Sequence, residues 1–457
     1  MSHGGAYAVT GRGPFALGTG ALRLIAALSA VGALGVGIAL GLYRYPLSLG
    51  AVFALGLGLL AMLAFALARY DAAVALGFVL LSVNQRGLEP SDIVFAVVIA
   101  VAFVTGRFDL RRVPLTATVL VGLFLALNLF SAIEVTDGAR ALHFLPITIY
   151  VGILALWVAG YAHSASRTRV LVRGYVVGAV ASAGVGSLAL FVPFPGHEQF
   201  VFQDARALGL FEDPNFFGAS LVPAALILIE EIASPRLLRS SRTTKAVLFL
   251  VLVLGILFSY SRGAWLSFVL GIGVMLVVLG LRRGGGRATA LLSAIVLTAT
   301  ATLAFAIVIT GSATFLEERA QFQAYDVDRF EAQLRGIEIA DQYPLGIGPG
   351  QFELVSPVSA HSTYVRALAE EGLLGVGALL GLFLATFLWA IRNAVSGRDT
   401  YGIGSATLLA SWSGMLASSL FVDTLHYRLL WVVAGLIWAG TVARRAFEAR
   451  GGAARPF

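Results

Sequence analysis

Residues 263–281 read GAWLSFVLGIGVMLVVLGL, nineteen positions without a charged side chain between Arg262 and the pair Arg282 and Arg283. A stretch of about 20 apolar residues is long enough to cross the hydrocarbon core of a bilayer as a helix. Similar runs recur along the 457-residue chain, which is 58% hydrophobic and only 12% charged. Soluble domains contain roughly 25% charged residues. We therefore predict an all-α polytopic integral membrane protein.

The apolar runs predict about fourteen transmembrane helices, or twelve if a pair that includes the short runs is merged or demoted. Because both counts are even, both termini lie on one side of the membrane. The first run lacks a cleavage site directly after a short apolar core, and we expect a retained helix rather than a signal peptide. The predicted spans are 21–42, 46–68, 72–83, 92–106, 115–132, 142–160, 171–192, 215–232, 245–259, 263–281, 288–311, 362–391, 402–421 and 429–443.

Basic residues are distributed unequally between the two faces that these spans define. Alternate connections and the two termini hold 22 of the 32 Lys and Arg residues but only 6 of the 25 acidic residues. Short loops rich in Lys and Arg remain in the cytoplasm. We therefore predict cytoplasmic N- and C-termini and an opposite, extracytoplasmic face.

Two extracytoplasmic loops, 193–214 and 312–361, exceed hairpin length. The second contains DRFEAQLRGIEIADQYP, whose apolar residues lie close to helical spacing: Phe330, Leu334, Ile337 and Ile339. This pattern predicts an amphipathic helix on the outer membrane surface that ends before Pro344. Long loops with structure of their own are usually functional.

The chain is predicted to form one membrane-embedded domain over residues 1–457, without an internal repeat. Its parts are N-terminal spans over 21–192, a motif-bearing half over 193–391 that includes both long loops, and C-terminal spans over 402–443. No segment is long enough for a separate soluble domain.

The first loop contains DARALGLFEDPNFFG, residues 204–218. Asp213 before Pro214 is typical of a helix start, with a carboxylate cap and proline in the first turn. Arg206 and Asn215 lie beside this start, where free backbone N–H groups and an arginine would form a site for an anion. Alternatively, Arg206 pairs with Asp204 or Glu212 in the same loop.

Three further arginines lie on the extracytoplasmic face. Arg262, in FSYSRGAWLS, stands where two spans join almost directly, and judged alone it is explained as an arginine that reaches the membrane boundary. Arg329 and Arg335 lie on the predicted surface helix, where a charged face toward water is the simpler interpretation and is favoured for Arg329.

His361 begins the span 362–391, after the Gly/Pro turn segment PLGIGPGQF. The start of a helix is electropositive and disfavours imidazolium. His361 should therefore be neutral at pH 7, as a general base must be. A lone histidine is usually structural, but this one shares a face with several arginines and has no metal-ligand partners nearby.

Two patterns resemble ligand motifs but have simpler explanations. Asp326 and Asp328 form a D-x-D pair, which holds a metal for nucleotide-sugar transfer, but nucleotide sugars are cytoplasmic and this pair is predicted outside. RRGGGR at 282–287 lacks the strand and the Lys-Ser/Thr of a phosphate loop. The chain has no cysteine, which excludes disulfides and thiolate metal sites. We predict no metal site and no cofactor.

Four motifs resemble the O-antigen ligase and polymerase superfamily of bacterial envelope enzymes: RALGLFEDPNFFG, SYSRGAWLS, YPLGIGPGQF and AHSTYVRALAEEGLLG, in this order over residues 206–375. The last has the ligase pattern of His361, Ser362, nine residues, Gly372 and Gly375. The resemblance does not extend to the N-terminal spans, which share only hydrophobicity. Ligases commonly have twelve spans.

The resemblance implies a metal-independent, inverting glycosyltransferase of the bacterial inner membrane. It would move a glycan from an undecaprenyl-diphosphate carrier to an acceptor hydroxyl at the extracytoplasmic face, with lipid A-core as the acceptor of a ligase or a second lipid-linked glycan as that of a polymerase. His361 matches the catalytic histidine and Arg206 an essential arginine. Arg262 and Arg335 are the further candidates for the donor diphosphate, with Asn215, Arg329 and Ser362 in support. Membrane lipids are expected partners, and nucleic acid is not.

Two other classes compete with an enzyme. A transporter or lipid-linked glycan flippase would place ionisable groups near the bilayer midplane and show repeated halves, whereas most charges here fall at span ends. A structural scaffold gives no reason to collect Arg206, Arg262, Arg335 and His361 on one face.

Overall fold

The computed structural model describes residues 48–84, 89–203, 205–282 and 286–449, and most of this chain is helical. Three 3₁₀ turns (Leu110–Arg112, Ala132–Glu134 and His197–Phe200) and an antiparallel pair, β1 (Val201–Phe202) and β2 (Arg206–Ala207), accompany the helices in these ranges. The helices are α1 (Leu49–Ala68), α2 (Tyr70–Leu80), α3 (Pro90–Val104), α4 (Leu115–Ser131), α5 (Gly138–Tyr161), α6 (Ala165–Ala189), α7 (Pro214–Ala233), α8 (Arg242–Phe258), α9 (Arg262–Leu281), α10 (Gly286–Thr310), α11 (Ala313–Ala320), α12 (Ala324–Gln342), α13 (Phe352–Val355), α14 (Thr363–Val395), α15 (Ser405–Ser418) and α16 (Arg428–Ala449).

Each predicted span from 46–68 onward corresponds to one of these helices, and the span 21–42 lies outside the described residues. The count of fourteen crossings is not confirmed. Among the described residues, seven helices are long and apolar enough to cross a membrane: those at 115–134, 138–161, 165–189, 214–233, 262–281, 289–310 and 363–395. The 11 residues of α2 extend only about 16 Å, well short of the roughly 30 Å hydrocarbon core.

Charged pairs collect at the two ends of the helices. At one end the buried Lys245 donates to Glu231 at 2.8 Å, where α7 meets α8. At the other end Arg428 pairs with Glu89 at 2.6 Å, and a second buried arginine, described below, lies near the start of α14. Each pair joins residues that the distribution of basic residues assigns to one face. The assignment of the first face to the cytoplasm stays a prediction.

The motif-bearing half packs through small residues. Ser267 on α9 donates to the carbonyl of Gly414 on α15 at 2.7 Å, and a Cβ at Gly414 would lie 2.7 Å from the carbonyl oxygen of Ser267. Such close approach of backbones, with hydroxyls bonded across it, is typical of membrane helix interfaces. It fixes α15 against the helix that begins at Arg262.

The longest described helix, α14, is broken near its start. It has 33 residues, but Gly372 has φ 71° and ψ −172°, a conformation that is not helical. The Gly/Pro segment 344–352 fills the break: Ile347 and Gly348 donate their N–H groups to the carbonyls of Ala369 and Glu370 at 3.0 and 2.9 Å. The interrupted helix therefore keeps its backbone hydrogen bonds satisfied, as a buried, broken membrane helix must.

The predicted amphipathic helix forms as α12, Ala324–Gln342, and ends before Pro344 as expected. One stripe of apolar side chains is exposed: Val327, Phe330, Leu334 and Ile337. Ile339, predicted to share that stripe, is instead buried against the protein with Ala332 and Ala340. At about 100° per residue, the remaining charged side chains form a third face.

Candidate functional site

The site residues lie where the loop 193–213, the starts of α7, α9 and α14, and α12 come together. We call Arg206, Asn215, Arg262, Arg329 and His361 the arginine–histidine cluster. Asn215, Arg262 and His361 lie at or beside capped helix starts, where the cap fixes the direction of the backbone. The cluster mixes cations with hydrogen-bonding groups at one end of the helices.

Arg206 connects three segments. From the short strand β2, its Nε donates to the carbonyl oxygen of Ser259 at 2.9 Å, and its Nη2 donates to Oδ1 of Asn215 at 3.1 Å. Asp204, one of the two alternative partners predicted for it, lies outside the described residues. Arg206 is thus held at the start of α7, beside the end of α8.

The start of α7 is built as predicted. The Asp213 side chain accepts from the backbone N–H groups of Asn215 and Phe216 at 2.6 and 3.4 Å, and Pro214 is in the first turn. Asp213 is therefore the helix cap. Its carboxylate also contributes to the electrostatics of Arg329 and His361, which puts both near this helix start.

Arg262 anchors the large loop. It donates to the phenol oxygen of Tyr325 and to the carbonyl of Gln321, each at 3.3 Å, and forms an ion pair with Asp326. Burial alone would raise the pKa of Asp326, but hydrogen bonds from Arg262 and from the backbone of Gln323 hold it below its ordinary value. Asp326 acts at the start of α12, where it accepts from the Gln323 N–H at 2.9 Å.

Arg329 and Arg335 point to different sides of α12. At about 100° per residue, Arg329 falls on the side of the buried Ala332 and Gly336, and Arg335 on the charged side. Arg329 is half-buried. Arg335 is exposed and its nearest charged partner is Glu338 at 3.5 Å. The structure therefore brings Arg329 toward His361 and leaves Arg335 apart from the cluster.

The guanidinium of Arg329 lies 4.8 Å from the centroid of the Tyr325 ring. Within the described ranges of the chain it makes no hydrogen bond or ion pair. Burial lowers its pKa, and Tyr325, Asp326 and Asp213 partly oppose that effect. Because arginine stays charged in proteins, this is a half-buried cation without a paired anion.

His361 precedes the first turn of α14, whose cap is Ser362. Its φ of 45° lies in the left-handed region, which non-glycine residues adopt only where the surroundings impose it. Burial and then the charge of Arg329 lower the pKa of His361; Asp213 and Asp423 oppose them, and Arg366 adds the smallest lowering effect. His361 is therefore neutral at pH 7, because burial and the nearby arginines add to the effect expected from the helix start.

Ser362 holds the chain beside His361. Its hydroxyl accepts from the N–H of Val365 and donates to the carbonyl of Ser419, both at 3.5 Å. Its role here is to cap α14 and to join α14 to the segment that follows α15.

Several charged residues of this region were not singled out from the sequence. Glu370 accepts from the N–H groups of Gly350 and Phe352 at 2.9 and 3.1 Å, and Glu371 accepts from Asn128 on α4 at 2.5 Å. Arg366 is buried one turn after His361. The available signal was the presence of three ionisable residues inside a predicted span, since such residues are costly there and rarely without a role.

The described chain thus has several helices able to cross a membrane and a cation-rich site with a neutral histidine. Residues 247–380 match the model of the O-antigen ligase family, Wzy_C. This match confirms the resemblance drawn from the motifs for residues 247–380. It contains Arg262, Arg329, Arg335 and His361, whereas Arg206 and Asn215 precede it. No curated protein matches the chain.

The helices indicate a multi-pass membrane protein, and the family matched by residues 247–380 implies lipid-linked glycan substrates and glycosyltransferase-like activity. Among the described residues, no three His, Asp or Glu side chains are grouped as ligands of one metal ion.

Proposed function

We propose that the protein is a glycosyltransferase of the bacterial inner membrane. It would move a glycan from an undecaprenyl-diphosphate carrier to an acceptor hydroxyl at the extracytoplasmic face, as an O-antigen ligase with lipid A-core as acceptor. The observation that carries this proposal is Arg329: a half-buried guanidinium without an ion-pair partner among the described residues, next to a neutral histidine.

A buried or half-buried cation is costly unless an anion compensates it. A diphosphate supplies that anion, and guanidinium groups bind phosphate oxygens through two parallel hydrogen bonds. Arg206 and Arg329 would hold the two phosphates, because Asn215 sets one beside the start of α7 and α12 sets the other beside His361. The free N–H groups of a helix start add to such an anion site.

Arg262 would act differently. Its ion pair with Asp326 keeps α12 against the start of α9, and we propose that it holds Arg329 in place. Arg335 was predicted to bind the donor, and its exposed position does not favour that role over Arg329.

The exposed apolar stripe of α12 supports a donor that arrives from the bilayer. The exposed side chains of this stripe lie on the side of α12 away from the buried Ala332: Phe330, Leu334 and Ile337. In the outer leaflet this stripe would set α12 at the depth of the lipid headgroups. The diphosphate of a membrane carrier lies at the same depth.

In the proposed reaction, the acceptor oxygen attacks the anomeric carbon while the bond from that carbon to the phosphate oxygen breaks. His361 takes the proton of the acceptor hydroxyl. The electron pair leaves with the diphosphate, and the growing negative charge falls on Arg206 and Arg329. One direct displacement inverts the anomeric centre and needs no enzyme nucleophile.

The test is reconstitution in liposomes with an undecaprenyl-diphosphate oligosaccharide, offering lipid A-core and a second lipid-linked glycan separately. The proposal expects transfer to lipid A-core that disappears in His361→Ala. Longer lipid-linked chains without lipid A-core product would identify a polymerase instead. Movement of the donor across the bilayer with neither product would overturn the enzyme in favour of a flippase.

A further inference from the structure

A buried ion cluster lies directly beside the segment that carries His361. We call Arg366, Glu353, Glu370 and Asp423 the Arg366 cluster. Nη1 of Arg366 donates to Asp423 at 2.6 Å, its Nη2 pairs with Glu353, and its Nε lies 3.6 Å from Glu370. The side chain of Arg366 is only 6% exposed. One guanidinium therefore serves three carboxylates.

The three carboxylates belong to different segments. Glu353 is on α13, Glu370 is on α14 before the break, and Asp423 is on the connection between α15 and α16. The pair of Glu353 with Arg366 spans thirteen positions and closes a loop of chain that contains His361. Arg140 at the start of α5 also reaches Glu353, at 3.3 Å. The cluster thus joins α13, α14 and the connection between α15 and α16, and Arg140 adds the start of α5.

A second set of bonds continues the same connection. Thr363 donates its N–H to Ser419 at 3.0 Å, and its hydroxyl accepts from the N–H of Thr424 at 2.7 Å. These bonds fix the residue two positions after His361. The left-handed backbone of His361 lies between two anchored points, as a conformation of this kind requires.

We propose that Arg366 is a positioning residue for His361. Its ion pairs with Glu353 and Asp423 hold the histidine toward the acceptor hydroxyl, and its positive charge compensates the negative charge of Asp423. This inference rests on the proposed function, since it assumes that His361 is the general base. Arg366 itself touches neither substrate nor reacting atoms in this scheme.

The electrostatic part has a defined sign. The charged groups that face His361 are Arg329 on α12, Asp213 at the start of α7, Asp423 and Arg366. The carboxylates favour imidazolium, and the arginines disfavour it. Removing the Asp423 charge should therefore let His361 stay neutral at lower pH. The acidic limb of the pH–rate profile should then move to lower pH.

The experiment compares Arg366→Lys and Asp423→Asn with wild type, measuring kcat, the donor KM and kcat/KM against pH in liposomes. Lysine keeps the charge but not the fork. We expect kcat of Arg366→Lys to fall by about 10²-fold, the effect of a displacement on the order of 1 Å, with the donor KM and the acidic limb unchanged. Asp423→Asn should shift the acidic limb to lower pH.

Arg428→Lys is the matched control. Arg428 is a second arginine that pairs with two carboxylates, and its side chain is 11% exposed, but it is absent from the groups that affect His361. It should lose stability and keep the wild-type pH profile and turnover per folded protein. If Arg366→Lys behaves like Arg428→Lys and Asp423→Asn leaves the acidic limb in place, Arg366 is only structural. If Arg366→Lys does not fold, the acidic limb of the pH–rate profile of Asp423→Asn decides whether the cluster acts on His361. Transfer by His361→Ala at the wild-type rate would instead refute the proposed function.

Discussion

The break in α14 offers a sharp test of how the site is held. Gly372 adopts φ 71° and ψ −172°, a region that is essentially restricted to glycine. A Cβ at this position would lie 2.6 Å from the backbone nitrogen of Gly346 and closer still to the carbonyl oxygen of Pro344. Gly372→Ala must therefore either straighten the helix or displace the segment 344–352.

The expected destabilisation combines two effects. A non-glycine residue in a disfavoured backbone region costs on the order of 1–3 kcal/mol. Crowding a closely packed site costs about 1–3 kcal/mol more. Gly372→Ala should thus destabilise the protein by roughly 2–6 kcal/mol if the two effects add. Gly377 is five residues further along the same helix and has nothing within 4 Å of an added Cβ. Gly377→Ala should stabilise by up to about 1 kcal/mol, the difference in helix propensity.

The assay is thermal unfolding of purified protein in detergent at one fixed heating rate, followed by the fluorescence of its 6 tryptophans. Gly372→Ala should have a lower Tm than wild type, and Gly377→Ala a Tm equal or higher. Transfer per folded molecule should also fall in Gly372→Ala, because the displaced segment leads into His361. A wild-type Tm for Gly372→Ala would refute the reasoning about the break.

Three further predictions address topology and the site. Cysteines introduced at the exposed positions Glu331 and Ser240 should differ in reaction with an impermeant thiol reagent from outside, with labelling at 331 and none at 240, and labelling at 240 would reverse the orientation. Arg206→Ala and Arg329→Ala should abolish transfer in folded protein while Arg335→Ala retains it, and loss in Arg335→Ala with activity in Arg329→Ala would restore the original candidate. His361→Ala should lower turnover by about 10²–10⁴-fold. The wild-type rate should persist below the ordinary pKa of histidine, because burial and Arg329 lower the pKa of His361, and chelators should leave the rate unchanged. A fall in rate that begins at or above the ordinary pKa of histidine would contradict this prediction.

The helices were largely predictable because hydrocarbon length and the distribution of charge leave few alternatives. The start at Asp213 and the end before Pro344 follow from capping chemistry that depends on neighbouring residues alone. The number of crossings did not follow, since a run such as 72–83 is apolar whether it spans the membrane or packs within the protein. The break in α14 also escaped prediction: Gly372 lies inside a predicted span, and only the segment 344–352 packed against it makes the break stable.

The composition of the site was harder to predict than its location. Arg206, Asn215 and His361 were found because their neighbours in sequence carry recognisable motifs. Arg335 was predicted ahead of Arg329 as a donor ligand, although a charged face toward water explains either one until the buried side of α12 is known. The Arg366 cluster needs a carboxylate 57 residues away, and no local pattern links Arg366 to Asp423.

The joint between α8 and α9 explains why the cations of the cluster have different roles. Ser259 accepts from Arg206, and three positions later Arg262 pairs with Asp326 at the start of α12. The same few residues therefore set the position of Arg206 directly and that of Arg329 through α12. Ile339 also packs α12 against the segment before α14 and against α14 itself, and the joint fixes the first turn of α12 relative to Arg206. Arg262 is thus better explained as the residue that sets the spacing between Arg206 and Arg329 than as a third ligand of the same diphosphate.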